Sequence, residues 1–322
     1  MSGISCLLGT PEAQAKIRAW YQTQLAKEAT PAVEEAPAAV EEAPVYKATA
    51  DVHPRDGVML VKGKALLTLA EHEEYGKMTS HQILVVLTKK FKQGKGEKSQ
   101  KQIMVELGMF QDADFKIATF VDLKKYKSHS VLTYTWNDSP AREQYGPLNK
   151  KMEAQGIDMS AQWFWIDIFC LDQQHPDKME TIKRSNEIYA LAKYYFVIGL
   201  ACFNRLWCTM ELACKLGGQN GVNTDVVVTD FEGFLKRREE AYAISQLDKD
   251  PTFETCRYTS ATDVPIVKEK ILAKFEDIAA FNDTIKNVAD VILKEWREYE
   301  WEFECVGRDR TYHNGYFVQV YT

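Results

Sequence analysis

The chain has 322 residues, 45% of them hydrophobic, which is enough for one large or two modest globular domains. Its 40 basic and 46 acidic residues leave a net charge of −6, which argues against nucleic acid as the main partner, because duplex-binding proteins carry a basic excess. No apolar stretch approaches the roughly 20 residues of a membrane span, and the N-terminus lacks a secretory signal. We therefore expect a cytoplasmic protein.

The seven cysteines of the chain form no Cys-x-x-Cys pair and are odd in number. This pattern favours reduced thiols packed in a cytosolic core over a disulfide framework or a zinc site.

The N-terminal segment, residues 1–50, is predicted to be flexible. Residues 8–28 have the apolar spacing of a short amphipathic helix, and Pro31–Pro44 holds two copies of a seven-residue unit rich in Pro, Ala and Glu. Such a composition buries too little apolar area to offset the entropy of ordering, so it predicts an extended linker. A docking peptide for a partner is the alternative interpretation.

Residues 51–127 are predicted to form an accessory, mostly helical region. One helix begins at Thr79 and Ser80, and a second ends at Gly108. Between them lies a lysine-rich turn, which we interpret as a solvated loop. It lacks the glycines and the Gly-Lys-Ser/Thr ending of a phosphate-binding loop, and a patch for an acidic partner or a phosphoinositide is the other interpretation.

From 128 to 235 strands alternate with helices, which predicts a parallel sheet with helices on both faces, since parallel neighbours need crossover connections. The central strand of this α/β domain is the aromatic run 163–170, in which Asp167 is the only acid. The other predicted strands are 130–136, 194–200 and 225–229, and the predicted helices are 148–154, 179–193 and 205–216.

Polar residues follow three of these strands, at 136–138, 172–175 and 203–205. Because carboxyl ends of parallel strands share one edge, these loops are expected to form one crevice. Beneath it runs the helix of Glu211, the only acid of that helix. Its apolar surroundings indicate either a structural partner for a buried base or a carboxylate with a raised pKa that is used in chemistry.

Four motifs carry a resemblance to known families. Residues 132–137 are similar to the Leu-Ser-Tyr-x-Trp-Gly start of fungal heterokaryon-incompatibility (HET) domains, and residues 165–173 to their Trp-Ile-Asp-x-x-Cys-Ile-Asp/Asn-Gln block. The helix that contains Ile188 is similar to the helix that follows this block in HET domains. Residues 205–212 resemble the Arg-x-Trp-Thr-x-Gln-Glu motif of HET domains and the Trp-Cys-x-x-Glu-Leu motif of plant Toll/interleukin-receptor (TIR) domains.

The resemblance implies a flavodoxin-like, TIR-like sheet with helical N- and C-terminal additions, in a signalling protein of innate immunity or cell death. Some TIR domains cleave NAD at the nicotinamide–ribose bond with the glutamate of this motif, which is Glu211 here. NAD would then be a substrate, with no tightly bound cofactor and no metal. The implied NAD-binding residues are Trp136, Asp138, Asp172, Gln173, Arg205 and Trp207.

Several alternatives stay open at this point. Many members of the superfamily are non-catalytic scaffolds that self-associate or recruit other signalling proteins. Asp167 is interpreted as a structural carboxylate that holds loop amides or Arg205, and Cys170 as a structural or supporting thiol. Arg205 either forms an ion pair with Asp167 or Glu211, or contacts a ligand.

Residues 236–322 are predicted to be mainly helical, and a charged helix is predicted over 231–242. Thr262 and Pro265 mark the start of one helix, and apolar residues at three- and four-residue steps predict another over 282–299. The segment 316–321 alternates like a strand and is expected to close an edge of the sheet.

Overall fold

Seven strands form one mixed β-sheet in the described part of this computed structural model, which comprises residues 46–48, 56–136, 140–198, 202, 205–216, 224–229, 252–258, 260–287 and 316–320. The strands are β1 Gly57–Lys62, β2 Phe115–Thr119, β3 His129–Tyr134, β4 Trp163–Trp165, β5 Tyr194–Ile198, β6 Thr224–Thr229 and β7 Tyr316–Val320. The helices are α1 Gly63–Glu71, α2 Ser80–Gln93, α3 Gln100–Glu106, α4 Phe120–Tyr126, α5 Ala141–Ala154, α6 Asp167–Cys170, α7 Lys178–Leu191, α8 Leu206–Leu216 and α9 Asp263–Leu272. A further helical stretch covers 278–287.

The strand order is β2-β1-β4-β3-β5-β6-β7. The four strands β4, β3, β5 and β6 are parallel, as predicted, whereas β1 runs antiparallel to β2 and β4, and β7 runs antiparallel to β6. The sheet is therefore mixed, which corrects the expectation of a purely parallel one. From β3 the chain passes to β4 on one side and then to β5 on the other, an order that is compatible with a flavodoxin-like sheet.

Helices cover both faces of the sheet. Helix α1 packs on α5, while α7 packs on α8 and α8 packs on α9. Since crossovers between parallel strands are right-handed, α5 lies on one face and α7 and α8 lie on the other. None of the helices in the described ranges combines the length and the apolar character needed to cross a bilayer.

Strands β1 and β2 are not predicted from the sequence. They bring residues of the predicted accessory region into the sheet, and all described residues belong to one compact unit. Strand β1 lies between β2 and β4, and its residues Val58–Val61 are at most 7% exposed. A continuous apolar run of this kind suits a strand covered on both faces, but it is equally typical of a buried helix segment.

The central aromatic run is a strand only as far as Trp165, which corrects the predicted strand over 163–170. The chain then turns into the short helix α6, where the Asp167 carboxylate accepts a hydrogen bond from the Ile168 amide at 2.7 Å. Ile168 and Phe169 are fully buried in this turn. Burial of the aromatic residues is thus as expected, while the strand ends because the chain turns into α6 at Asp167.

The helices with strong start signals are confirmed. Thr79 caps α2 and exchanges hydrogen bonds with Gln82, and Ser99 caps α3 in the same way with Gln102. Gly108 follows α3 with a φ of +70°, as a helix-ending glycine does. The C-terminal strand is also confirmed, because β7 pairs with β6 at an end of the sheet.

Several predicted elements lie outside the described residues. They are the helix 8–28, the linker 31–44, the helix 231–242 and the part of the helix 282–299 that follows residue 287.

Candidate functional site

Two consecutive side chains at the carboxyl end of β3 bind carboxyl groups. The Thr133 hydroxyl donates to Oε2 of Glu211 at 2.8 Å, and the Tyr134 hydroxyl donates to Oδ1 of Asp167 at 3.0 Å. Successive side chains of a strand point to opposite faces of the sheet. The end of β3 therefore lies between two carboxyl groups, one against each face.

Glu211 lies over the boundary between β3 and β5. It belongs to α8, the helix that follows β5, and its partner Thr133 stands opposite Val197 in the β3–β5 register. The direction of the strand order reverses at this boundary, and open α/β sheets bind ligands just outside the carboxyl ends of strands at such a point. The fold therefore places the Glu211 carboxyl group beside the position at which a sheet of this strand order is expected to bind a ligand.

The Glu211 carboxyl group has a strongly perturbed pKa. Burial of the group, followed by the nearby charge of Asp167, raises the pKa from 4.5 to about 8, while hydrogen bonds from Thr133 and Tyr189 and the charge of Lys270 oppose the rise. The residue keeps some exposure, but its carboxyl group is desolvated. At neutral pH Glu211 is therefore mainly a neutral carboxylic acid.

Buried tyrosines complete the surroundings of Glu211. Tyr189 on α7 is hydrogen-bonded to Glu211, and its ring packs edge-on against Trp165 with the centroids 5.3 Å apart. The Tyr195 hydroxyl contacts the Thr133 hydroxyl. Because Thr133 gives its one proton to Glu211, Tyr195 is the donor in this contact. Burial raises the pKa of both tyrosines well above the usual value, so both stay neutral.

Asp167 accepts three hydrogen bonds. Besides those from Tyr134 and the Ile168 amide, its Oδ2 accepts one from Nε1 of Trp136 at 2.9 Å. Burial raises the pKa of Asp167 from its ordinary value, and the three hydrogen bonds act in the opposite direction. Indole and amide N–H groups can only donate, so this set of partners suits an ionised carboxylate.

Trp136, predicted to bind NAD, is half-buried at the carboxyl end of the sheet. Its hydrogen bond to Asp167 holds the Nε1 edge of the indole in place. Asp138, another predicted binding residue, lies outside the described residues.

Asp172, predicted to line the crevice, fastens its own loop to a distant part of the chain. Its Oδ2 accepts hydrogen bonds from the Tyr46 hydroxyl at 3.0 Å and from the Gln100 amide at 3.1 Å. Its Oδ1 accepts one from the Gln174 amide. The amide of Gln173 is bound by Gln100. This loop is therefore held against the start of α3 by contacts that the sequence motif does not predict.

Gln100 is a residue that sequence reasoning missed. It is 1% exposed, and its side-chain amide donates to the carbonyls of Ile168 and Leu171 at 2.8 and 3.0 Å. A glutamine in the first turn of a helix is ordinary, so nothing in the local sequence indicates a buried side-chain amide that donates two hydrogen bonds to backbone carbonyls. The sequence motif at 132–137 likewise gives no separate role to Thr133 or Tyr134.

Arg205 and Trp207 lie at the start of α8. Arg205 is half-buried, its backbone pairs with that of Arg257, and its charge acts on the thiol of Cys208. Trp207 packs partly buried against the core, one helical turn before Glu211. Trp207 is thus on the helix that carries Glu211, and Arg205 immediately precedes this helix.

Cys170 has a structural environment. It is buried, its thiol contacts the carbonyl of Phe164 and the amide of Ile166, and burial raises its pKa to about 12. The five described cysteines are all buried, and none of them is joined in a disulfide. Among the residues that the structure describes, no cluster of His, Cys, Asp and Glu side chains is placed to hold a metal ion.

Taken together, the site offers two buried carboxyl groups in different surroundings. Asp167 accepts three hydrogen bonds, and the pKa of Glu211 is raised to about 8. Pairs of carboxyl groups that differ in this way divide the roles of acid, base and charge stabiliser in enzymes.

Comparison with protein-family models, with curated proteins and with solved structures finds no match to this chain.

Proposed function

We propose that this protein is a TIR/HET-like signalling protein with a flavodoxin-like sheet, and that it hydrolyses NAD at the nicotinamide–ribose bond with Glu211 as the catalytic residue. One observation carries the proposal. Glu211 presents a desolvated carboxyl group with a pKa of about 8 at the β3–β5 boundary, where sheets of this strand order bind ligands.

The charge of NAD suits such a group. The nicotinamide ring is a pyridinium cation while it is bonded to ribose, and a cation close to a carboxyl group lowers the pKa of that group. Binding of NAD would therefore convert Glu211 from a neutral acid into a carboxylate. The carboxylate is the form that stabilises the oxocarbenium-like ribose formed during cleavage.

The proposed reaction is a hydrolysis that needs no other reactant. The bond between the ribose carbon and the pyridinium nitrogen breaks, and its electron pair leaves with nicotinamide, which becomes neutral. A water oxygen bonds to the ribose carbon, and Glu211 accepts a proton from this water before releasing it to solvent. The products are nicotinamide, ADP-ribose and one proton.

Other residues would bind the substrate. Trp136, with its indole edge fixed by Asp167, offers a ring face for a planar base, and Trp207 lies on the same helix as Glu211. Arg205 would contact a phosphate group. Asp172 and Gln173 would position the loop that borders the site, because the Asp172 side chain is bound by Tyr46 and Gln100.

The second candidate is a non-catalytic interaction module of the same fold. It is favoured by the end of the sheet at β2, where Ile117 is 39% exposed, together with α4, where Val121 and Tyr126 are 74% and 59% exposed. A strand at a sheet end and large apolar side chains beside it are features by which domains of this size associate. In this case Glu211 would be a structural carboxyl group.

Nicotinamide release separates the two candidates. Purified protein at high concentration is incubated with NAD, and nicotinamide is quantified by chromatography for the wild type and for Glu211→Gln. The control is Glu153→Gln, which neutralises an exposed acid of α5. We expect release by the wild type and by the control variant and none by Glu211→Gln. Absence of release from all three, also after forced clustering of the protein, would exclude the hydrolase and leave the interaction module.

A further inference from the structure

A group of lysines covers the end of α2 and the turn that follows it. It comprises the exposed residues Lys89, Lys90, Lys92 and Lys95, which we call the lysine patch. None of these four ammonium groups forms an ion pair with a carboxylate of the described residues. The patch is therefore a local concentration of positive charge on a chain whose net charge is −6.

The chain around the patch is poor in acids. From Ser80 to Gly96 it contains no aspartate or glutamate, and Glu97 is the first acid that follows. The next acid, Glu106, forms an ion pair with Lys98 at 2.7 Å. The hydrogen bond and the charge of Lys98 lower the pKa of Glu106, and the charge of Lys90 adds to this effect. The neighbouring acids thus leave most of the charge of the patch uncompensated.

Helix α2 carries part of this charge on its outer side. Ile83 and Phe91 are at most 4% exposed and lie on the side of α2 that packs into the core. Val85, Lys89 and Lys92 follow one another at steps of four and three residues, so they share the opposite side of the helix. Val85 is 54% exposed. The outer side of α2 therefore combines two lysines with an exposed apolar side chain.

The turn after α2 is held by backbone hydrogen bonds. The amide of Gly96 donates to the carbonyl of Phe91 at 3.1 Å, and the carbonyl of Gly96 accepts from the amides of Lys47 and Ala48 at 2.8 and 3.1 Å. The amide of Lys95 donates to the carbonyl of Lys92 at 3.0 Å. The backbone of Lys95 is therefore fixed beside the last turn of α2.

Stabilisation of the helix explains only part of the patch. Cations in the last turn of a helix interact favourably with its dipole, and Lys90 and Lys92 lie in the last turn of α2. Lys89 comes before this turn and Lys95 lies beyond the helix. The patch is thus larger than the dipole of α2 accounts for.

The composition of the patch favours a membrane surface over an acidic peptide. From Ser80 to Glu106 the chain has six lysines and no arginine. Arginine binds individual carboxylates and phosphates through two parallel hydrogen bonds, whereas lysine acts as a point charge. Peptides are bound in grooves or along free strand edges, and the outer side of α2 is neither. Clusters of lysines on a helix, beside an exposed apolar side chain, are typical of contacts with anionic phospholipids.

We propose that the lysine patch binds the surface of a membrane that contains anionic phospholipids. The ammonium groups of Lys89, Lys92 and Lys95 contact headgroup phosphates, and Val85 contacts the interfacial layer. An anionic surface repels the chain as a whole, because its net charge is negative, so the molecule binds with this side of α2 toward the lipid. The inference goes beyond the hydrolysis of NAD and does not depend on it.

Co-sedimentation of the full chain with lipid vesicles tests the inference. Vesicles of phosphatidylcholine alone are compared with vesicles of phosphatidylcholine and phosphatidylserine. We expect binding to the second kind only. This binding should be lost when the salt concentration rises from about 0.1 M to about 1 M, because the Debye length falls from about 10 Å to about 3 Å.

Three double variants locate the contact. Lys89→Gln/Lys92→Gln should weaken binding at least tenfold, because each lysine near an anionic surface contributes a factor of about five. Lys64→Gln/Lys150→Gln neutralises two exposed lysines of α1 and α5, so it changes the net charge equally and should bind like the wild type. Lys89→Arg/Lys92→Arg keeps both charges and should also bind like the wild type. Circular dichroism checks that each variant is folded.

Three results would overturn the inference. They are absence of binding to the phosphatidylserine vesicles, unchanged binding by Lys89→Gln/Lys92→Gln, and equal weakening by Lys64→Gln/Lys150→Gln. Polyglutamate, an acidic polypeptide, is tested in parallel. If the protein binds polyglutamate through Lys89 and Lys92 but does not bind the vesicles, the patch is a surface for an acidic protein and the membrane proposal is wrong.

Discussion

Glu211 and Asp167 lie against opposite faces of the same strand end, each bound by one of two neighbouring hydroxyl side chains, Thr133 and Tyr134. One carboxyl group has the partners of an anion, and the other has its pKa raised to about 8. Burial raises the pKa of both carboxyl groups, and the nearby Asp167 adds to the rise at Glu211.

Glu211 should make the stability of the protein depend on pH. Between pH 4.5 and about 8 the glutamate is protonated in the folded state and ionised in the unfolded state. The folded state then binds one more proton, so the free energy of unfolding falls as pH rises, by up to about 1.4 kcal/mol for each pH unit. Glu211→Gln lacks this loss, and its stability relative to the wild type should rise across the interval.

Urea unfolding of the two proteins at several pH values measures this difference directly. Other titrating groups contribute equally to the free energy of unfolding of both proteins, so their effects cancel in the difference. A stability difference that stays constant with pH would show that Glu211 ionises in the folded state as it does in the unfolded state.

Replacement of Thr133 by valine should destabilise the protein by about 1–3 kcal/mol. Valine keeps the shape of the side chain but removes one of the two hydroxyl groups that bind Glu211, and it leaves the buried Tyr195 hydroxyl without its partner at this position. Thr133→Ser is the matched control, since it keeps the hydroxyl and loses only a methyl group, which is worth about 0.8 kcal/mol. Equal losses for the two variants in denaturant unfolding would contradict a role for the hydroxyl.

Asp172→Ala should reduce stability and leave substrate binding unchanged. The variant removes the acceptor for two backbone amides, those of Gln100 and Gln174, and for the Tyr46 hydroxyl. We expect a loss of about 1–3 kcal/mol in the free energy of unfolding. The control is Asp112→Ala, whose side chain is 83% exposed and pairs with Lys101, so its loss should stay below about 1 kcal/mol. If the variant keeps full stability but its KM for NAD changes, Asp172 contributes to substrate binding and the prediction is wrong.

Gly63 should not tolerate alanine. A Cβ at this first residue of α1 would overlap the carbonyl oxygen of Met159 and lie 2.9 Å from the ring of Phe164, so backbone must shift. We expect destabilisation of about 1–3 kcal/mol. Gly94→Ala is the comparison, because its Cβ would meet only ordinary contacts and the change should stay within about 0.5 kcal/mol. Thermal unfolding of both variants tests this, and similar melting temperatures would contradict it.

The sequence alone predicted the elements whose signals are local. The capping residues Thr79 and Ser99, the glycine at 108 and the apolar runs of β3 and β5 all act within a few residues, so their helices and strands were found. Glu211 was singled out for the same reason, as the one acid in an apolar helix.

Only the tertiary structure decided how those elements are combined. The short strands β1 and β2 are stabilised by their pairing in the sheet, and no periodicity within them indicates which strand they join. The partners of Glu211 are equally remote in sequence: Thr133 is 78 residues away, and Asp167 belongs to another strand end. A pKa depends on desolvation and on nearby charge, and both are properties of the assembled fold rather than of a motif.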